Sequence, residues 1–167
     1  MGCINPIAEG KVSTYLSPAL GTSRITSVAV FPLLNSFDPR GGSSLNTGDM
    51  LDRNSMFQAE FARKNPKATL ITSSASTDLL NRAGLVDAYG SFVSVYRETG
   101  VPNTQTLNNM GRTLKADAII QGFIERVVQT DGRPGSIPGD TKLSVKYVMF
   151  STANGTVPLG GDERGSR

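Results

Sequence analysis

Histidine and tryptophan are absent from this chain of 167 residues, and cysteine occurs once, as Cys3. Without histidine there is no Ser-His or Cys-His nucleophile pair and no His-ligated metal site. A single cysteine excludes an intrachain disulfide and any CxxC centre. Charge is sparse too: 19 % of residues are Asp, Glu, Lys or Arg, and the formal net charge is only +3. Part of that excess sits in the tail, at Arg164 and Arg167. No basic patch of nucleic-acid grade results, and 7 % aromatic residues offer few stacking platforms, so no nucleic-acid partner is expected. No apolar run approaches the roughly 18 residues that a membrane-spanning helix needs. The longest dense one runs from Val28 to Leu34. The phosphate-binding patterns GxxxxGK(S/T) and GxGxxG are missing, and Gly41-Gly42 stands too far from any strand-turn-helix spacing to replace them. No cofactor and no metal are expected.

What is present is a globular balance, with 38 % apolar residues. A chain this long can bury roughly 70 % of its unfolded surface. Residues 1–23 read as an extended leader without helical or strand period. Residues 24–34, RITSVAVFPLL, have the near-continuous apolar character of a strand covered on both faces, with Pro32 marking its end or an edge. Residues 35–48 are a loop rich in turn formers. A helix follows over 49–64: Met50, Asn54, Phe57 and Phe61 share one stripe, and Pro66 stops it. Residues 67–72 make a short strand.

Three helical segments come next. Residues 73–84 start with capping residues and end at Gly84. Residues 85–98 carry Leu85, Tyr89, Phe92, Val93 and Tyr96 at helical spacing, closed by Gly100. Residues 103–115 have Asn103 or Thr104 as cap and a stripe of Leu107, Met110 and Leu114. Residues 117–130 read as a long strand, with Ile120, Gly122, Ile124 and Val128 on one face and Ile119, Gln121, Phe123, Glu125 and Val127 on the other. After a loop over 131–140, residues 141–152 alternate as a strand antiparallel to it, with Leu143, Val145, Tyr147 and Met149 opposed to Ser144 and Lys146. Asn154-Gly155 is a two-residue hairpin signal, so a further strand is expected. The expected fold class is α/β: a mixed sheet with helices packed on it and a C-terminal antiparallel meander, in one domain over 24–157.

Few residues suggest chemistry. Asp38, Asp49 and Asp52 surround the first loop and Glu125 lies mid-strand, without a diagnostic metal or acid-base spacing. Solvated charges and helix caps account for them. Gly122 inside a strand implies close approach, either by a partner or by a bulky core neighbour such as Phe57 or Tyr89. Lys142, Ser144 and Lys146 share a strand face and read as solvated edge protection rather than an anion site.

Three segments carry a family resemblance. VAVFPLLN (Val28–Asn35), LKADAIIQGFIE (Leu114–Glu125) and KLSVKYVMFSTANGTV (Lys142–Val157) resemble the opening strand, the central strand and the following hairpin of the bacterial TolB-N-like or CsgG-like outer-membrane lipoproteins. That group includes CsgG, LpoB and PelC. The resemblance implies a non-enzymatic periplasmic interaction module, an adaptor or ring component in outer-membrane assembly or export. Its partners would be envelope proteins and further copies of itself, and a lipid would tether it to the outer membrane. Cys3 is then the expected lipid-attachment residue, Met1-Gly2-Cys3 being the end of a lipobox whose start lies upstream; the plain alternative is a free thiol. N-myristoylation of MGC is disfavoured because Pro6 stands where Ser or Thr is wanted. The stretch from Cys3 to Ile25 would span ~25 Å as a coil and about 70 Å fully extended.

Two departures from the family pattern stand out. The loops at 35–50 and 131–140 are too short for the spanning hairpins of CsgG-type channels, whose strands need about 9–11 residues each. The chain is therefore not expected to form a pore. The C-terminus reads VPLGGDERGSR where the family pattern continues as a strand. Codons exist for Val157–Arg167 from which loss of one C yields VLWEATSAAA, so residues 158–167 are expected to be an irregular tail read in a shifted frame. Resequencing the gene decides between that and coincidence. A second reading is a small soluble ligand-binding domain or enzyme that uses the carboxylates near the first strand.

Overall fold

The computed structural model describes residues 25–35, 47–130, 140–153 and 159–160. Cys3, Asp38, the Asn154-Gly155 turn and most of the two expected loops lie outside these residues.

Strand β1 (Ser27–Val30) has every residue after Ser27 buried, as expected of an apolar run with both faces covered. It stops before Pro32, which has no N–H for a ladder, and the chain resumes as β2 (Leu34–Asn35). Helix α1 (Thr47–Lys64) ends in Arg63 and Lys64, which suit its negative C-terminal end. Strand β3 (Thr69–Ile71) follows, then α2 (Ser73–Arg82), α3 (Val86–Thr99) and α4 (Thr104–Leu114). The Thr72 hydroxyl caps α2, and the Asn103 Oδ1 caps α4 by accepting from the Thr106 N–H at 3.0 Å. Gly100 ends α3 in the left-handed region at φ 70°, with its N–H donating to the Tyr96 carbonyl. Strands β4 (Ala118–Thr130), β5 (Asp140–Ser151) and β6 (Leu159–Gly160) complete the chain.

All strands join one mixed sheet in the order β3-β1-β4-β5-β6, with β2 also on β4. β1 is parallel to β3 and β4, whereas β4, β5 and β6 are antiparallel to one another. The expected α/β architecture with a C-terminal antiparallel meander is the one observed. β6 pairs Leu159 with Met149 and Gly160 with Val148, so two residues of strand lie inside the segment expected to be irregular.

Alternation sends the strand residues to two cores. Ala29, Phe31, Ile119, Phe123, Val148 and Phe150 meet Leu80, Phe92, Leu107 and Met110 of α2, α3 and α4. Val28, Val30, Ala118, Ile120 and Met149 meet Phe57 and Phe61 of α1 on the other face. The sheet is thus a middle layer, with one helix on one side and three on the other. β5 differs from its expected one-sided pattern for this reason: Val145, Val148, Met149 and Phe150 are all buried, because helices cover both faces.

The other correction concerns β4. Ile124 pairs with Val145 and Arg126 with Ser144, so Glu125 is an extra residue without a cross-strand partner. A β-bulge of this kind interrupts strict alternation along a strand, and the side chains of Val127 and Val128, for which faces were expected, lie outside the described set.

Candidate functional site

Chemistry-bearing side chains gather at two places among the described residues. The first is interior. β1 ends with the Phe31 N–H donating to the Ile120 carbonyl, and the Pro32 carbonyl beyond it has left the ladder. Gln121, 1 % exposed, fills the gap. Its Nε2 donates to the Pro32 carbonyl at 2.8 Å and to the Gly122 carbonyl at 2.9 Å. Its Oε1 accepts from the Tyr89 hydroxyl of α3. Tyr89 also stacks on Phe31, ring centroids 4.6 Å apart, and burial holds its phenol protonated well above the ordinary range. These groups satisfy one another, so they brace the β1–β2 break and present nothing to a reactant.

The second place is an open groove of about 480 Å³ where the C-terminal end of α3 meets the sheet. Tyr96, Phe123 and Val148 supply its apolar lining. Tyr96 is half-buried, lies edge-on to Phe150 at 4.8 Å and stacks on Phe123 at 6.1 Å; burial raises its hydroxyl pKa. Arg97 and Gly100 line it from the helix wall, and Glu125 and Lys146 from the sheet. Lys146 is placed there because it pairs with Phe123 across the ladder and so shares that face. The expected solvated face of Lys142, Ser144 and Lys146 is, at Lys146, one wall of a groove; the side chain of Lys142 lies outside the described set.

Of the carboxylates considered from sequence, Asp38 is outside the described residues, Asp49 and Asp52 belong to α1 with side chains outside the described set, and Glu125 is exposed on β4. Among the described residues no group of three or more Cys, Asp or Glu side chains could hold a metal ion. No helix among them is long and apolar enough to cross a membrane.

Gly122 is a close approach, although its neighbours differ from those expected. A Cβ there would lie 2.3 Å from Leu33 Cδ2 and 2.7 Å from Tyr147 Cε1, and Phe57 stacks on Tyr147 at 3.8 Å. Phe57 therefore acts through Tyr147, while Tyr89 is committed to Gln121. The sequence reading passed over the Gln121–Tyr89 pair. Its only signal was a single polar residue inside the apolar run IIQGFI. Asn54 and Ser76 are also buried, and Asn54 Oδ1 and Ser76 Oγ have no hydrogen-bond partner among the described residues.

No family model and no curated protein matches this sequence. Solved structures with a similar chain path include the C-terminal domain of LpoB from Salmonella enterica: TM-score 0.47, 12 % identity, over 81 % of this chain and 78 % of that one. Another is a PelC dodecamer from Paraburkholderia phytofirmans: TM-score 0.45, 16 % identity, over 94 % of this chain and 86 % of that one. A third is lipoprotein GNA1162 from Neisseria meningitidis: TM-score 0.42, 14 % identity, over 79 % of this chain and 76 % of that one.

Proposed function

We propose that this protein is a non-enzymatic interaction module of the bacterial envelope. It is tethered on the periplasmic side of the outer membrane through lipid on Cys3, and it acts as an adaptor or as one subunit of a homo-oligomeric ring in assembly or export. One observation carries the reading. The three segments with family resemblance, Val28–Asn35, Leu114–Glu125 and Lys142–Val157, contribute the adjacent strands β1, β4 and β5. Similar motifs scattered over a fold would mean little; here they share one ladder, as parts of a single inherited sheet would. The tightly braced interior suits a scaffold that displays surfaces. The loops over 35–48 and 131–140 are the proposed contact surfaces.

Two acyl chains or more make anchoring stable, at about 0.8 kcal/mol per buried methylene. Metabolic labelling with a fatty-acid analogue should mark the wild type in its native host and not Cys3→Ser. Equal labelling of both would remove the anchor from the proposal. Mass photometry of the soluble domain reports ring formation. Replacing both loops by glycine-serine segments should abolish partner capture, and unchanged capture would move the contact surface elsewhere.

A further inference from the structure

We propose that the end of the molecule where the chain enters β1 docks on the anionic phospholipid headgroups of the membrane that holds the anchor. The inference rests on the Cys3-tethered reading above and adds which end faces the bilayer. Thr26 and Ser27 mark that end. The Thr69 N–H donates to the Thr26 carbonyl at 2.7 Å, and the Ser27 hydroxyl donates to the Lys115 carbonyl at 3.0 Å. The starts of β1, β3 and β4 are therefore level, with Ser27 beside Thr69 and Val28 beside Ala118. Helix α1 leads into β3 and α4 into β4, so both helices end here, on opposite faces of the sheet.

Both helix ends are basic. Arg63 and Lys64 close α1, Lys67 follows in the turn to β3, Arg112 lies in the last turn of α4 and Lys115 caps it; all are exposed. The carboxylates among them are Glu60, held by Arg63 and Lys64 at 2.7 and 3.5 Å, and Asp117, held by Thr26 and Ser27. Lys67, Arg112 and Lys115 have no ion-pair partner among the described residues. Five cations against two acids leave an excess of three positive charges, and the negative ends of the two helices offset about one of them. The α2–α3 turn brings Arg82 with Asp78 and Asp87, one cation to two acids, so the excess belongs to the ends of α1 and α4. Cations set around a sheet end on both its faces suit a broad array of anionic headgroups rather than one small anion.

The tether selects that array. Residue 24 joins Ile25 one position before Thr26, so a lipid on Cys3 holds this end near headgroups and raises their effective concentration there. A basic patch beside an acyl anchor supplies a second membrane signal. β2 ends at Asn35 and β4 at Thr130, both at the opposite end. The chain thus leaves toward the proposed contact loops on the side away from the bilayer.

Co-sedimentation of the full-length, unacylated Cys3→Ser chain with vesicles tests this. Binding to mixed phosphatidylglycerol–phosphatidylcholine vesicles should be at least about tenfold tighter than to phosphatidylcholine alone at low salt. It should be lost at about 1 M salt, where screening acts within about 3 Å. Lys67→Glu with Lys115→Glu should abolish the preference. Arg53→Glu, about 16 Å further along α1, should leave it unchanged. Circular dichroism checks that each variant is folded. If the double reversal does not fold, Lys67→Gln with Lys115→Asn should weaken the preference instead, since Asn accepts the left-handed backbone at residue 115, φ 52°. Equal binding to both vesicles, binding indifferent to salt or to the lysine pair, or displacement by excess glycerol phosphate at constant ionic strength would overturn the proposal. The assay needs no acyl chain, and Cys3 labelling in the native host does not depend on these lysines. Labelled protein without a vesicle preference would therefore refute the basic end alone.

Discussion

Gln121 shows how one polar side chain repairs a defect that a neighbouring residue imposes. Pro32 ends the β1 ladder, and its carbonyl would be buried unpaired without the Gln121 amide. Tyr89→Phe removes the donor to Gln121 Oε1 and should cost about 1–3 kcal/mol by urea unfolding, because the acceptor stays buried. Adding Gln121→Leu to Tyr89→Phe should cost less than the sum of the two single changes, which a double-mutant cycle measures. Gly111 makes a second sharp case. A Cβ there would lie 2.5 Å from Thr152 Cβ, and Thr152 is held by its hydroxyl donating to the Ala116 and Asp117 carbonyls at 2.8 and 2.9 Å. A β-branched residue held in that way has no room to give, so Gly111→Ala should lower stability by about 1–3 kcal/mol in the same assay. The Gly111 contact was invisible in the sequence, because nothing in the local pattern of α4 shows that Thr152 packs on it.

At the scale of elements, Asp117 ties the starts of β1 and β4 together. Its carboxylate accepts from the Thr26 N–H at 2.8 Å, the Thr26 hydroxyl at 2.9 Å and the Ser27 N–H at 3.1 Å. The Thr26 backbone bond leads in holding its pKa below the usual carboxylate range. A carboxyl that is more acidic when folded stabilises the protein above its unfolded pKa of about 3.9 and stops doing so as pH falls through the lower folded value. Thermal melts should therefore drop on acidification through that window, and Asp117→Asn should flatten the drop. A melt insensitive to the substitution at low pH would show that the clamp carries no linkage. The β4–β5 ribbon makes a second point. The β1 and β2 pairings on β4 cover Val28 to Asn35 against Ala118 to Ile124, whereas Arg126–Thr130 pairs only with β5 among the described residues. Amide exchange should be faster beyond the bulge than over Ala118–Ile124. Helices and strands were legible from periodicity and caps, and Asn103 and Gly100 behave as read. The bulge was not, since period two runs through Glu125 without a break in composition.

For the whole molecule, the two apolar clusters sit on opposite faces of one sheet and share its strands. Unfolding either face exposes the other, so urea should produce a single transition. Leu107→Ala in one cluster should cost about 2–5 kcal/mol and Ile120→Val in the other about 1 kcal/mol. Because the sheet separates them, their effects should add within about 0.5 kcal/mol. Separate transitions, or strong coupling between the two sites, would contradict a common middle layer. Residue order alone settled the element types, the α/β class and the buried character of the central strands, because periodicity, caps and breakers act over a few neighbours. It also settled that these 167 residues hold no histidine and no intrachain disulfide, which composition decides outright. Only the tertiary structure decided that β1 lies between β3 and β4 and that Lys146 walls a groove with Tyr96. The same holds for the closeness of Gly122 to Leu33 and Tyr147. Those facts depend on contacts between residues far apart in the chain, and local pattern carries no record of which distant surface will fill a given space.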